Sequence, residues 1–225
     1  NEVGVGRGIR ESGAPRDDLF VATKVWHDRH GFDETLASFD ESLDKLGLDY
    51  VDLYLIHWPV PSRDLYVDTW AAMRELREQG RAKAIGVCNF NVDHLERLHA
   101  EFGEYPSINQ VEIHPYLTQQ ALRDFHAEHG IVTEDWSPLA ARLHLIANPV
   151  VTGIAAEVGA TPAQVVYRWH LQIGSVVIPR STKPERLAEN LAVLDLELTQ
   201  AQMDSLSALN RNERTGPDPA TFDRA

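Results

Sequence analysis

The chain has 225 residues and a formal net charge of −13, from 21 basic and 34 acidic side chains. This length allows a substantial hydrophobic core, and the negative charge argues against binding to nucleic-acid phosphates or anionic membranes. Cys88 is the single cysteine, which excludes an intrachain disulfide and fits a reducing, cytoplasmic environment. No apolar run reaches the length of a membrane span, because Asp52 and His57 interrupt the best candidate.

Short apolar runs alternate with segments of helical periodicity along the chain, which predicts an α/β fold with parallel strands. The start of the sequence has no signal-peptide pattern and reads as a helix entered partway. Strands are predicted near Phe20–Lys24, Val51–His57, Ala84–Cys88, Asn109–Ile113, Val132–Trp136 and Val176–Pro179. Helices are predicted over Glu34–Leu46, Tyr66–Gln79, Val92–Glu101, Gln119–His129, Pro149–Val158, Pro162–Gln172, Pro184–Ala192 and Thr199–Leu209.

Several helix ends carry local signals. Asp33 precedes an acidic first turn, Thr161 stands before a proline at the first helical position, and Thr199 precedes the last helix. The glycines expected just after helix ends are Gly80, Gly103 and Gly130. No linker divides the chain, so we expect one domain over residues 1–225, with residues 210–225 as an irregular tail.

Six alternating strands fit a (β/α)8 TIM barrel that lacks its first two strands, and they also fit an open doubly wound sheet. The position of the polar residues favours the barrel, because barrel active sites are built from the carboxyl ends of several strands. The polar residues expected at such ends are Lys24, His57, Asn89, Gln110, Trp136 and Arg180.

A basic segment that follows the last predicted strand and opens a helix predicts an anion site. Backbone N–H groups and the helix dipole favour an anion at such a position, and arginine side chains suit phosphate oxygens. Arg186, Glu189 and Asn190 are spaced i, i+3 and i+4, so they lie on one helical face. The other residues of this segment that we assign to the site are Arg180, Ser181 and Thr182.

These motifs together resemble the aldo-keto reductases, and bacterial diketogluconate-reductase-like members are most similar. The family pattern Asp-x-x-x-x-Tyr-Gly-Asn-Glu ends in the residues that open this sequence, Asn1-Glu2. The resemblance therefore implies a catalytic tyrosine two residues before Asn1. It implies that Lys24 lowers the pKa of this tyrosine and that His57 orients the substrate carbonyl or shares the proton transfer. Trp26 and Trp58 would rim the substrate site.

The resemblance also implies NADPH as the cofactor. Asn89 and Gln110, with Cys88 as a neighbour, would hold the nicotinamide carboxamide, and Trp136 would stack on the nicotinamide ring. Ser137 and Leu139 would complete that part of the site, and the segment from Arg180 to Asn190 would bind the adenosine end with its extra phosphate. Departures from the family are Cys88 in place of serine, Arg180 in place of lysine, and Ala140–Leu145 in place of a glycine-containing turn.

The resemblance thus implies a monomeric enzyme that reduces small aldehydes or ketones. A catalytically silent nucleotide-binding barrel, acting as a sensor or subunit, is the alternative. A phosphate-binding barrel lyase is disfavoured because it gives no shared role to Lys24, His57, Trp136 and Arg186. His27 with His30, and His126 with His129, have metal-like spacing but no evident third ligand, so we expect exposed histidines and no metal.

Overall fold

The computed structural model describes residues 1–223. Its strands are β1 Ala22–Val25, β2 Val51–Ile56, β3 Ala82–Cys88, β4 Ile108–Glu112, β5 Val132–Trp136 and β6 Val176–Val177. The α-helices of this part of the chain are α1 Glu2–Ser12, α2 Phe32–Leu46, α3 Tyr66–Glu78, α4 Val92–Phe102, α5 Gln120–His129, α6 Pro149–Val158, α7 Pro162–Gln172, α8 Pro184–Leu191 and α9 Gln200–Ser207.

The strands form one parallel sheet in which they follow the order of the chain, from β1 to β6. In the β1–β2 register Lys24 lies opposite Leu55, and in the β5–β6 register Glu134 lies opposite Val176. Parallel neighbours need a crossover connection, and the helices between successive strands provide it. The α/β class predicted from the alternation is therefore confirmed.

Contacts divide the chain into two compact units. The first contains residues 1–109 and a short stretch from Pro219, and the second contains residues 110–218. The single barrel domain predicted for residues 1–225 stays a prediction. The last two residues of the predicted tail, 224 and 225, lie outside the described residues.

The core of the first unit lies where β2, β3 and the start of β4 pack together. Leu53, Leu55, Cys88 and Ile108 form one buried apolar cluster. Gly86 permits this packing, since a Cβ atom there would lie 2.4 Å from Ile108 Cγ2 and 2.8 Å from its carbonyl oxygen. The lone cysteine is thus a core residue of this unit.

The second unit contains a buried face of α7 and several capped helix starts. Trp169 is fully buried, and its indole N–H donates to Ser207 Oγ at 2.9 Å. At the start of α7, Thr161 N donates to Gln164 Oε1 at 2.9 Å, and Thr161 Oγ1 accepts from Gln164 N at 3.3 Å. Such a capping box satisfies two backbone donors that have no partner within the helix. The cap predicted at Thr161 is confirmed.

Some predicted boundaries were wrong. Helix α2 begins at Phe32 after Gly31, so Asp33 lies inside its first turn and does not cap it. The last strand ends at Val177 and does not reach Pro179, because a proline has no N–H to donate to a neighbouring strand. The prediction that Thr199 precedes the last helix is confirmed, since Thr199 caps α9, whereas the predicted range of that helix began one residue too early.

The prediction of exposed histidines was wrong, since three of the four are buried and His129 is half-buried. His27, His30 and His126 are only 7%, 3% and 0% exposed, and His126 Nδ1 lies 2.9 Å from Thr133 Oγ1. Burial is the main cause that lowers the pKa of His30 and of His126 to about 4. Residues 1–223 contain no group of three or more His, Cys, Asp or Glu side chains arranged to hold a metal ion.

None of the helices within the described residues combines the length and the apolar character that crossing a membrane requires.

Acid should destabilise the fold through these histidines. Because the folded-state pKa of His126 is about 4, against an ordinary value of 6.5, the unfolded chain binds more protons between these pH values. The contribution of this histidine to the free energy of unfolding is therefore fully present above pH 6.5 and is lost as the pH falls toward 4. The loss is at most about 1.4 kcal/mol per pH unit for each such group. Urea unfolding at a series of pH values should show a shallower loss for His126→Gln than for the wild type. His129→Gln, on the same helix, is the matched control. An identical pH dependence in His126→Gln and wild type would contradict the assignment.

Candidate functional site

The first group of candidate residues lies at the carboxyl ends of β1 and β2. Lys24 is the next-to-last residue of β1, and His57 directly follows β2. His57 N donates to Val25 O at 3.2 Å, which holds the two strand ends together. Lys24 is half-buried, and no carboxylate among the described residues forms an ion pair with it.

His57 is electrostatically coupled to its neighbours. Burial, and then the positive charges of Lys24 and His27, lower the pKa of His57 to about 4. The imidazole is therefore neutral near pH 7. Its Nδ1 atom is buried and has no hydrogen-bond partner within residues 1–223. A neutral imidazole can donate one hydrogen bond and accept another, so it can donate to a carbonyl oxygen through its N–H.

The two tryptophans of this group have different environments. Trp26 is 51% exposed and stacks on His57, with ring centroids 4.4 Å apart. Trp58 is only 7% exposed and stacks on Phe222 of the C-terminal stretch, at 4.3 Å. Phe222 also contacts His27 edge to face at 5.4 Å. The structure thus leaves Trp26 accessible, whereas Phe222 covers Trp58.

Cys88 and Asn89 end β3 in the same unit. The Cys88 side chain is fully buried in the apolar cluster described above. Asn89 adopts a left-handed backbone conformation, with φ at 61°, which asparagine tolerates better than most residues. Its Nδ2 donates to His57 O at 3.0 Å. The carboxamide therefore ties the end of β3 to the end of β2.

In the second unit, Gln110 does not lie at a strand end as predicted. It is the middle residue of β4, and Glu112 ends the strand. The Gln110 side chain is 7% exposed, and its Nε2 donates to Glu134 Oε2 at 2.6 Å. The predicted strand, Asn109–Ile113, began one residue too late, and with either set of bounds Gln110 lies within the strand and not at its carboxyl end.

Trp136 ends β5 and is followed by a constrained turn. Ser137 and Ala140 both have left-handed backbones, with φ of 55° and 41°. A hydrogen bond from Ala140 N to Ser137 O, at 2.9 Å, closes the turn. Left-handed non-glycine residues cost about 1 kcal/mol or more and persist where surrounding contacts fix them. The turn is therefore a fixed support for the neighbouring tryptophan.

The basic segment after β6 encloses a cavity of about 330 Å³ together with α7 and α8. Glu189 lies in it with its carboxylate accepting from Thr161 Oγ1 at 2.8 Å, while Thr182 is exposed and lies outside the lining. The predicted site residues that line the cavity are Leu139, Arg180, Ser181, Arg186, Glu189 and Asn190. In a chain of net charge −13, two arginines beside a helix start make this cavity suited to an anion.

Sequence reasoning missed an anchor formed by Glu112, Thr215 and Gly216. The Glu112 carboxylate is fully buried and accepts from Thr215 N and Oγ1, both at 2.5 Å, and from Gly216 N at 3.1 Å. His114 Nε2 lies 3.0 Å away from the same carboxylate. Burial acts to raise the pKa of Glu112, but the hydrogen bonds together have the larger effect, so the pKa lies below its usual value. The sequence contained one signal for this anchor, because Glu112 is a charged residue within a predicted apolar strand.

The anchor brings the chain after α9 against Trp136. Ser137 Oγ lies 3.2 Å from Thr215 Oγ1, and a Cβ atom at Gly216 would lie 2.5 Å from Trp136 Cη2. Position 216 therefore requires glycine because of close approach to the indole.

Gly216→Ala should displace either the Trp136 ring or the segment beside it, and destabilise the protein by about 1–3 kcal/mol. Urea unfolding measures this loss. Gly153→Ala in α6 is the matched control, since a Cβ there meets nothing within 4 Å, and an alanine inside a helix should stabilise by about 0.5–1 kcal/mol. Equal stability of the Gly216→Ala variant and the wild type would show that the indole is not held there.

Comparison with known proteins matches this geometry to one family. Residues 1–211 match the model of the aldo/keto reductase family. An aldo-keto reductase of Mycolicibacterium smegmatis is 53% identical over 222 residues, which cover 99% of this chain and 80% of the relative. The glyoxal reductase of Bacillus subtilis is 50% identical over 219 residues, covering 97% and 78%.

A solved structure supports the same conclusion. A variant of Gox0644 crystallised in complex with NADPH has a TM-score of 0.94 and 44% identity, and the match covers 100% of this chain and 81% of that one. The (β/α)8 barrel class predicted from the strand ends is confirmed by this likeness. The chain belongs to the aldo/keto reductase family.

Proposed function

We propose that this protein reduces the carbonyl group of small aldehydes or ketones to an alcohol, with NADPH as the cofactor. The observation that carries the proposal is the arginine cavity of the second unit. Arg180 and Arg186 offer planar donor groups at the start of α8, where an anion is favoured by the helix dipole. The NADPH bound by a solved relative has such an anion in its adenosine phosphate.

The residues of the cavity fit an adenosine with an extra phosphate. Its volume of about 330 Å³ is in the range of small-ligand sites. Arg186 and Arg180 would bind the phosphates, Ser181 would add a hydroxyl donor, and Asn190 would bond the base. Thr182 lies outside the lining and would add a second hydroxyl donor from the adjoining exposed segment. Glu189 is held by Thr161, so it keeps this wall of the cavity in place.

The nicotinamide end is assigned to residues at the end of β3, within β4 and at the end of β5. Trp136 offers a ring face for stacking, supported by the turn that contains Ser137 and Leu139. Asn89 and Gln110 carry carboxamides that can bond both the oxygen and the nitrogen of another carboxamide, with Cys88 filling volume beside them. The cofactor supplies a hydride when bound, and these side chains orient and desolvate its ring.

The proton chemistry is assigned to Lys24 and His57. His57 is neutral near pH 7, so its N–H can hold and polarise a carbonyl oxygen. Lys24 favours the ionised form of a nearby phenol and so lowers the pKa of a tyrosine acid, which the family pattern places before Asn1. Trp26 and Trp58 form the apolar wall for the substrate, and Trp26 is the accessible one.

The relative named glyoxal reductase supports a small aldehyde as substrate. A monomeric, cytoplasmic protein remains part of this proposal, and the single, buried cysteine fits the reducing environment of the cytoplasm.

Arg186→Ala should weaken NADPH binding about 10- to 100-fold, because a charge-assisted bond to phosphate is worth about 1.5–3 kcal/mol. NADH, which lacks the extra phosphate, should lose far less. Titration of both cofactors by tryptophan fluorescence measures the two affinities. Lys183→Ala is the control, since this cation directly precedes α8 but does not line the cavity. An equal loss for both cofactors, or none, would remove the phosphate assignment.

Lys24→Met should leave NADPH affinity nearly intact and lower kcat for a test aldehyde by about 100-fold or more, because Lys24 acts on the acid and not on the cofactor. The measurement uses protein expressed from the native gene and follows NADPH oxidation. Lys45→Met, on the exposed face of α2, controls for the loss of a charge. A variant that keeps most of its kcat would make Lys24 structural. Wild-type binding of NADPH without turnover of any aldehyde would favour the silent nucleotide-binding alternative.

A further inference from the structure

A buried acid–histidine pair lies behind the strand that carries Trp136. Asp135 and His170 are both fully buried, and His170 Nδ1 is 2.5 Å from Asp135 Oδ2. His170 Nε2 lies 3.2 Å from Pro138 O. Asp135 belongs to β5 and His170 to α7, so one imidazole connects a strand, a helix and the turn after the strand.

The chemistry of these atoms fixes the protons of the pair. A carbonyl oxygen can only accept, so His170 Nε2 must carry a hydrogen and donate it to Pro138 O. A second proton must lie between Nδ1 and the Asp135 carboxylate to form the 2.5 Å contact. Together the two groups are electrically neutral, which removes the cost of an isolated buried charge. The ring therefore has both of its nitrogens occupied and one fixed orientation.

The position of Pro138 shows which part of the backbone this pair holds in place. Pro138 lies between the two left-handed residues of the turn, Ser137 and Ala140. Successive side chains of a strand point to opposite faces, so Asp135 faces α7 while Trp136 points to the other side of the sheet. The pair thus holds the backbone on both sides of Trp136 without occupying the face that the indole presents.

We propose that Asp135 and His170 are positioning residues, which fix the turn after β5 and with it the orientation of the Trp136 ring toward the cofactor. This inference rests on the proposed function in one respect, which is that the ligand in contact with Trp136 is the cofactor. The fixed orientation itself is a property of the free protein.

The surroundings of the pair support a fixed arrangement. Trp169 packs edge to face against His170, with ring centroids 4.9 Å apart. Arg123 of α5 is the charged group that acts on Asp135 from the neighbouring helix. Burial raises the pKa of Asp135, and the hydrogen bond and charge of His170 oppose this shift.

Three variants separate hydrogen bonding from packing and from charge. His170→Phe keeps a ring of similar volume but removes both bonds. Asp135→Ala removes only the carboxylate. Asp135→Asn is the rescue variant, since its amide can donate to Nδ1 while Nε2–H still donates to Pro138 O, which keeps both contacts of the imidazole without a charge.

The first measurement needs no ligand. Protein labelled with 5-fluorotryptophan gives one ¹⁹F signal for each of the five tryptophans, and Trp136→Phe identifies the signal of Trp136. We expect that signal to shift or broaden in His170→Phe and Asp135→Ala and to stay near its wild-type position in Asp135→Asn. An unchanged Trp136 signal in His170→Phe, with the protein folded, would overturn the proposal.

The second measurement compares two ligands. NADPH contains the nicotinamide, whereas adenosine 2′,5′-bisphosphate contains only the adenosine end. His170→Phe should weaken NADPH about tenfold, which is about 1.4 kcal/mol, and should change the affinity for the bisphosphate less than twofold. Asp135→Asn should restore the affinity for NADPH. Equal losses for both ligands, or an Asp135→Asn variant as weak as His170→Phe, would make the pair a general structural element and reject the positioning role.

The two measurements separate this inference from the proposed function. If wild-type protein binds neither ligand, the proposed function fails, and the ¹⁹F result alone then decides whether the pair fixes Trp136.

Discussion

Parallel pairing of the strands is the constraint on which the candidate site depends. Parallel strands that run in the same direction present their carboxyl ends at one edge of a sheet. In the first unit this brings Lys24 and His57 onto neighbouring strand ends, with Val25 opposite Ile56 in the register. The charge of Lys24 then acts on His57 and helps to keep it neutral. Burial, together with the lysine that strand pairing places beside it, thus keeps this imidazole neutral.

Buried carboxylates determine the geometry of the second unit. A carboxylate removed from water is tolerated only where donors or a cation meet it. Glu112 meets this requirement with the backbone and hydroxyl of Thr215, and Asp135 meets it with His170. Each of these acids flanks a residue assigned to the cofactor or stands close to one. The need to satisfy buried charge therefore fixes the segments on both sides of Trp136.

Two residues with strained backbones lie at these strand ends. Asn89 follows β3 and Ser137 follows β5, and both have left-handed backbones. Such residues cost about 1–3 kcal/mol, and they occur mainly where the surrounding structure fixes them for a function. Asn89 is tied to His57 O, and Ser137 is tied to Thr215. The contacts that offset the strain are thus the ones that shape the candidate site.

The sequence by itself determined the features that depend on neighbours in the chain. Apolar periodicity located the strands and helices to within about two residues at most ends, and helical spacing alone placed Arg186 and Glu189 on one face, since both are local properties. Only the tertiary structure showed that Glu112 meets Thr215, 103 residues further along, or that Asp135 meets His170. The burial of histidines such as His126 was likewise decided by packing. Which distant residues contact each other depends on how the helices and strands pack, and a local sequence pattern does not contain that information.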